Sequence, residues 1–369
     1  MMVFKRPFTA TIVLLLVLVL PSFRALAENS NLSAKAADEF LDQDGRPWDW
    51  QRNRSHQTFR TGNLSVKPDG NSKDGFRVYR GKRLLLHRSV SFDQMWLDFA
   101  YIGRRARTAR RFDGGRRDFI SPKTSTASTP FLDFNGDGVP DIVIAQRLGN
   151  SGNSYSIYSL GSKAQKLGTI RPIRADADFM DVDGDGRCEI LTYDPTFFGW
   201  ETCNAESRMP FVILKMSKGR FGLAKSLMIA RPPDLKKERQ IILKWRTECD
   251  AKNAESEHSL KGKGDFYLAP VVWGDILDLI YSGNSKTAFN LLNKFWTNQM
   301  HALNLEYRDC DQVRTSRQQF KSILFKQLSC SSLFTQLKQL NSDDYSLQKV
   351  RIMRDSGESS DFVSSPHLR

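Results

Sequence analysis

Asp133-Phe134-Asn135-Gly136-Asp137-Gly138-Val139-Pro140-Asp141 and Asp181-Val182-Asp183-Gly184-Asp185-Gly186-Arg187-Cys188-Glu189 are one nine-residue design written twice, 48 residues apart. Each copy has an apolar lead-in, Phe131-Leu132 in the first and Phe179-Met180 in the second. Each runs out into strand texture, Ile142-Val143-Ile144 and Ile190-Leu191-Thr192-Tyr193. Acidic turns framed by such runs place β-structure on both sides of the loop. The repeat therefore fixes the middle of the chain as a β region before any other segment is read.

The spacing has a chemical reason. Calcium is a hard cation that takes six to eight oxygens at about 2.3–2.6 Å. Side-chain oxygens at positions 1, 3 and 5 of a tightly curled loop converge on one point. A glycine at position 6 permits the reversal. Position 7 offers its backbone carbonyl and position 9 closes the cage. The expected ligands are Asp133, Asn135, Asp137, Val139 and Asp141 in the first loop. In the second they are Asp181, Asp183, Asp185, Arg187 and Glu189. Without a cation, so many like charges in one turn repel one another. An EF-hand needs a bidentate Glu at position 12 and flanking helices. Position 12 is Ile144 in one loop and Thr192 in the other, so that reading fails. Asp-Gly turns capping hairpins without metal are the plain alternative, and duplication with the full ligand spacing argues against it. The expectation is two Ca2+ sites that staple loops and do no chemistry.

Outward from the loops the texture divides the chain. Phe76 to Tyr79, Gly81 and Leu84 to Leu86 read as a hairpin, and Phe92 to Ile102 as a strand or a short helix. Tyr155 to Leu160 alternates. Phe211 to Leu214, the turn Ser217-Lys218-Gly219 and Phe221 to Leu223 form a second hairpin. After Arg231-Pro232-Pro233 the pattern becomes helical: one helix over 234–247, and a helical hairpin over 271–298 turning at Gly283-Asn284. Helical periodicity returns over 315–340. The expected organisation is a signal peptide over 1–27, a flexible arm over 28–74 and a β region over 75–230. A helical region over 231–340 and a disordered tail over 341–369 complete it. The fold class is α+β: an antiparallel β region with two calcium hairpins, followed by C-terminal helices. Tyr281, Gly283, Ala288 and Leu292 suit a tetratricopeptide helix pair, but such arrays need about three units and one is visible.

Asp133 to Ile144 and Asp181 to Leu191 resemble the calcium loops of FG-GAP/VCBS repeats, the blade units of integrin-type β-propellers. The stretch from Phe131 to Leu340 is also similar to exported bacterial proteins that pair two such loops with a Trp-Gly-Asp-x-x-Leu-Asp-Leu-Ile-Tyr-Ser-Gly-like segment, here Trp273 to Gly283. The resemblance implies blade-like calcium hairpins, export and no named activity. A propeller closes with four or more blades. Two repeats are evident, with a degraded third a possibility before residue 120. The Phe-Gly-x-Gly-Ala-Pro signature of integrin repeats is absent.

Lys5 and Arg6, the apolar run Thr11 to Leu20, Pro21 and Ala25-Leu26-Ala27 spell an export signal cleaved after Ala27. The run falls short of the ~20 residues a span requires, so no membrane span is expected to be retained, and the protein is expected in the periplasm or outside the cell. The net charge of +14 favours anionic partners. Seven arginines between Arg104 and Arg117 offer a docking patch for an envelope protein or an anionic polymer. A solvated loop is the plainer reading of that run. Only Phe112 interleaves it, where a nucleic-acid groove would carry several aromatics. The five cysteines show no CxxC pair, which leaves zinc unsupported and one or two disulfides open in an oxidising compartment. No hydrolase, metalloprotease or nucleotide-binding motif occurs, and Asp194, Glu201 and Asp278 are isolated acids. The expectation is a non-catalytic calcium-binding protein of the cell envelope. A calcium-dependent hydrolase of polysaccharide or phosphate ester is the alternative.

Overall fold

The computed structural model describes residues 59–364 except 62, 69–74, 90–95, 102–131, 148–151, 174, 176, 203–205, 256–264, 304–313 and 352–362. The signal peptide, the arginine run, Cys203 and Cys310 lie outside the described residues.

Three antiparallel meanders follow one another along the chain. The first is β1 (Phe59–Thr61), β2 (Leu64–Pro68), β3 (Gly75–Arg80) and β4 (Arg83–Ser89), paired in that order. Its last turn is built on Gly81 at φ +58°, a conformation that glycine enters without a Cβ penalty. The second meander is β5 (Trp96–Tyr101), β6 (Asp141–Arg147), β7 (Asn153–Leu160) and β8 (Ala164–Ile170). The third is β9 (Asp178–Met180), β10 (Glu189–Tyr193), β11 (Phe211–Ser217) and β12 (Arg220–Leu223). Lys218 and Gly219 both hold positive φ between β11 and β12. That is the two-residue turn whose twist suits a hairpin. Of the ambiguous segment 92–102, the described part, Trp96–Tyr101, is a strand.

Helices dominate the rest. Short α1 (Lys225–Met228) precedes α2 (Leu235–Glu255), then α3 (Pro270–Tyr281) and α4 (Ser285–Phe295) form the expected hairpin, turning at Gly283 with φ +79°. A small sheet of β13 (Asp265–Tyr267), β14 (His301–Leu303) and β15 (Arg314–Thr315) is inserted among them, with β13 and β14 parallel. The periodicity over 315–340 resolves into α5 (Arg317–Ser329) and α6 (Phe334–Leu340). Ser316 and Gln319 close a reciprocal capping box at the start of α5.

Two boundaries differ from the sequence reading. The stretch expected as a flexible arm already contains β1 and β2, because Leu64 is buried where β2 pairs with β3. The stretch expected as a disordered tail holds α7 (Tyr345–Gln348) and β16 (Val363–Ser364), which pairs with β8. Asp344 caps α7 through the Ser346 and Leu347 N–H groups, and Leu347 is fully buried. A polar stretch is ordered here by a few well-placed contacts.

One continuous core joins the second and third meanders to the helices. A chain of ring contacts, mostly edge-on, runs from Phe197 through Trp200 to Trp273, and from Trp200 through Phe320 to Trp296 and Phe266. Gly222 on β12 leaves room for the Gln336 side chain of α6, whose Oε1 accepts the Leu223 N–H. A buried polar clip crosses the same boundary. Asp194, at the end of β10, accepts from Thr196 N–H and hydroxyl and from the hydroxyls of Tyr281 and Ser331. Burial and the neighbouring Asp194 charge hold the Tyr281 phenol well above its ordinary pKa. Tyr281 therefore stays a donor at any physiological pH. This clip explains the Tyr of the Trp273–Gly283 segment; Asp275 of that segment accepts from the Trp245 indole N–H at 2.9 Å.

Candidate metal centre

Both acidic loops enter the second strand of a meander. The first leads from Leu132 into β6, and a single bridge pairs Leu132 with Asp141. The second spans the gap between β9 and β10. At position 2 each loop turns a side chain inward. Phe134 is fully buried and meets Phe179 and Phe221 edge-on at 5.9 Å, and Val182 is buried as well. The apolar residue at position 2 thus anchors the loop and leaves positions 1, 3 and 5 to curl around it. All four loop glycines, Gly136, Gly138, Gly184 and Gly186, hold positive φ.

The backbone-to-side-chain bonding of the two loops matches position for position, while Asn135 Nδ2 donates to Asp137 Oδ2 in the first and the Arg187 guanidinium to Asp185 Oδ2 in the second. Asp133 accepts from Gly136 N–H at 2.7 Å and Gly138 N–H at 2.9 Å; Asp181 accepts from Gly184 at 2.7 Å and Gly186 at 3.0 Å. The position-3 side chains, Asn135 and Asp183, accept from the N–H of position 5. Asp137 and Asp185 accept from the N–H of position 7, Val139 and Arg187. At position 9 one carboxylate oxygen reaches back to position 2: Asp141 Oδ2 to Phe134 N–H and Glu189 Oε2 to Val182 N–H, both at 2.7 Å. The ten expected ligand residues therefore fall into two superimposable turns. The turns also touch each other. Cys188 N–H donates to the Asp133 carbonyl at 2.7 Å, and the Arg187 side chain lies against Gly136.

The second oxygen at position 9 separates the copies. Asp141 is fully buried, and its Oδ1 has no hydrogen-bond partner. Burial pushes this carboxyl up to about 7, against the Phe134 N–H and the nearby Ser159 hydroxyl, with Asp133 and Asp137 adding repulsion. A buried carboxylate with one bare oxygen is costly unless a cation or proton meets it. In the second loop Glu189 is equally buried and its Oε1 likewise accepts no hydrogen bond of good geometry, yet it lies 2.7 Å from Lys215 Nζ as an ion pair. The same ammonium is 2.8 Å from Asp183 Oδ2 and 2.8 Å from Asp185 Oδ2. Burial opposes the charged form of Lys215, but its bonds to Asp183, Asp185 and Glu189 prevail and hold its pKa above the ordinary value. Burial likewise raises the Asp185 carboxyl, yet Arg187 and Lys215 together hold it well below the usual carboxylate range.

Asp181, Asp183 and Glu189 each bring an oxygen within 4.8 Å of the others, the one such trio of acidic, His or Cys groups among the described residues. Two members of that trio are ion-paired to Lys215, so the convergence reports the lysine as much as any metal. The bare buried oxygen of Asp141 is the observation that fits a divalent cation, and it belongs to the first loop.

Sequence reading located the loops and their apolar lead-ins but missed Lys215 and Ser159. Both depend on strand register. Asp141 pairs with Ser159 across β6 and β7, and the Ile190–Leu214 pairing sets Lys215 opposite Glu189 across β10 and β11. Of the three acids outside any motif, Asp194 is committed to the clip with Thr196, Tyr281 and Ser331, and Glu201 sits at φ +54° in the turn after Trp200. Asp278 lies on α3. No helix among the described residues is long and apolar enough to cross a membrane. The chain matches no protein-family model, no curated protein and no solved structure.

Proposed function

We propose that this is an exported, non-catalytic calcium-binding protein whose acidic loops staple a β region to which envelope partners dock. The observation that carries the metal reading is Asp141: fully buried, closing a loop of two further carboxylates, with Oδ1 unmatched by any protein donor. Calcium suits this set because every donor is a hard oxygen. It would be held by the side chains of Asp133, Asn135, Asp137 and Asp141 and the carbonyl of Val139. The ion supplies compensation for clustered negative charge; it activates no water and polarises no substrate in this reading.

The protein's own residues do the rest. Phe134 fixes the loop to the core, Gly136 and Gly138 turn it, and the Asp141 strand pairing with Ser159 fixes the far end. Export rests on the N-terminal signal, and docking of an anionic polymer or envelope protein rests on Arg104 to Arg117. No observation favours the hydrolase alternative, since Asp194, the most buried of its candidate acids, already accepts four hydrogen bonds.

Calcium that binds only the folded state stabilises it by mass action. Extracellular calcium modules bind at about 10⁻⁴–10⁻³ M, so 10 mM calcium adds about 1.4–2.7 kcal/mol. Thermal melting in 10 mM calcium and in excess chelator should therefore differ by several degrees. Asp137→Ala, a change at an exposed position, should erase that difference. Superimposable melting curves for the unmodified protein would sink the calcium reading.

A further inference from the structure

We infer that Lys215 is a built-in cation that takes the place of the metal in the second loop, so that the duplicated motif carries one metal site and one lysine-filled copy. The inference rests on the proposed calcium reading for the first loop and goes beyond it in assigning different chemistry to the two copies. Lys215 Nζ is within 2.8 Å of Asp183 and Asp185 and 2.7 Å of Glu189. These are positions 3, 5 and 9, three of the four side-chain ligands of that loop. An ammonium at their meeting point and a divalent ion there exclude each other, because both need the same oxygens and repel at that distance.

Three further features support the assignment. Lys215 comes from β11, a strand held in register on both sides by β10 and β12. Its side chain is therefore delivered by the sheet and not by a mobile loop. Its side chain is only 16% exposed, so the pair is shielded from the screening that makes surface ion pairs weak. Neither Glu189 Oε1 nor the equivalent Asp141 Oδ1 accepts a hydrogen bond of good geometry, but an ammonium stands 2.7 Å from the first, whereas Asp141 pairs across the strands with the uncharged Ser159. The repeat supplies its own comparison: where the second copy places Lys215 opposite its closing acid, the first places Ser159.

The test counts bound ions by equilibrium dialysis of the full-length mature chain against radioactive calcium. The unmodified protein should bind one ion, and Lys215→Ser, which writes the first loop's residue into the second, should bind two. Two ions on the unmodified protein, or an unchanged count of one in a folded Lys215→Ser variant, overturns the inference. No ion on the unmodified protein but one on Lys215→Ser would mean that the first-loop reading fails while the lysine assignment stands. Two changes at exposed loop positions keep the question open to decision if Lys215→Ser does not fold. Asp137→Ala should take the count from one to zero and Asp185→Ala should leave it at one; the reverse pattern overturns the inference. The reciprocal change, Ser159→Lys, should abolish binding at the first loop, and a retained ion there would count against it.

Discussion

The two acidic loops carry the same nine-residue pattern, the same bonds from backbone N–H groups to loop side chains and the same positive-φ glycines, yet their closing acids meet different surroundings. Asp141 has a bare, buried oxygen opposite Ser159; Glu189 has an ammonium at 2.7 Å. Local sequence sets the shape of such a turn, because positions 1, 3 and 5 bond within the loop itself. The surroundings of the closing acid are set by a residue on the next strand of the meander. A nine-residue motif is therefore a statement about geometry, and its chemistry is completed by the neighbouring strand.

The largest expected contrast lies in anchoring. Phe134 is fully buried against Phe179 and Phe221, whereas Val182 is a smaller plug at the edge of the same core. Phe134→Ala should cost about 3–5 kcal/mol in urea denaturation, and Val182→Ala clearly less. Equal losses would show that the loops do not differ in how they enter the core.

A pH contrast comes next. The folded-state pKa of Asp141, pushed up to about 7 by burial, exceeds its unfolded value of about 3.9. Between those values the folded protein binds the extra proton, so stability in excess chelator is fully present below pH 4 and is lost as pH rises through 7. The loss is at most about 4 kcal/mol. Comparing the chelated protein with Asp141→Asn at pH 5 and pH 8 isolates it: the variant should lack this component of the slope. Parallel stability profiles for the two proteins would remove Asp141 as its source.

The smallest effect should come from Arg187. Its ion pair with Asp185 at 2.8 Å is about two-fifths exposed on the arginine side, and such pairs contribute about 0–1 kcal/mol. Arg187→Ala should shift the melting temperature by no more than a few degrees in chelator. A larger loss would show that its packing over Gly136 is what joins the loops.

Much of this molecule was legible because its signals are local. The Asp-x-Asn/Asp-x-Asp-Gly loops, the hairpin turning at Lys218-Gly219 and the helix pair turning at Gly283 each depend on residues within a few positions of one another. The spacing of Asp133, Asn135, Asp137 and Asp141 within one curled turn was readable for the same reason. What escaped depends on long-range pairing. Lys215 lies 26 residues beyond Glu189, and nothing before the β10–β11 register brings them together. Ser331 meets Asp194 across 137 residues. The ordered stretch 341–351 was hidden because its few buried groups, Asn341, Asp344 and Leu347, sit in polar text. The cysteine count left the pairing open, and Cys188 is a buried thiol.

That thiol has a consequence of its own. Burial pushes Cys188 up to about 12 and Cys249 up to about 11, so neither presents a thiolate to an oxidant or an exchange partner while the fold is closed. Cys188 also donates its N–H across the seam between the two loops. Its sulfur becomes reachable only when that seam parts. A molecule found crosslinked or capped at Cys188 therefore carries a chemical record of having opened there, and the intact thiol certifies that it has stayed shut.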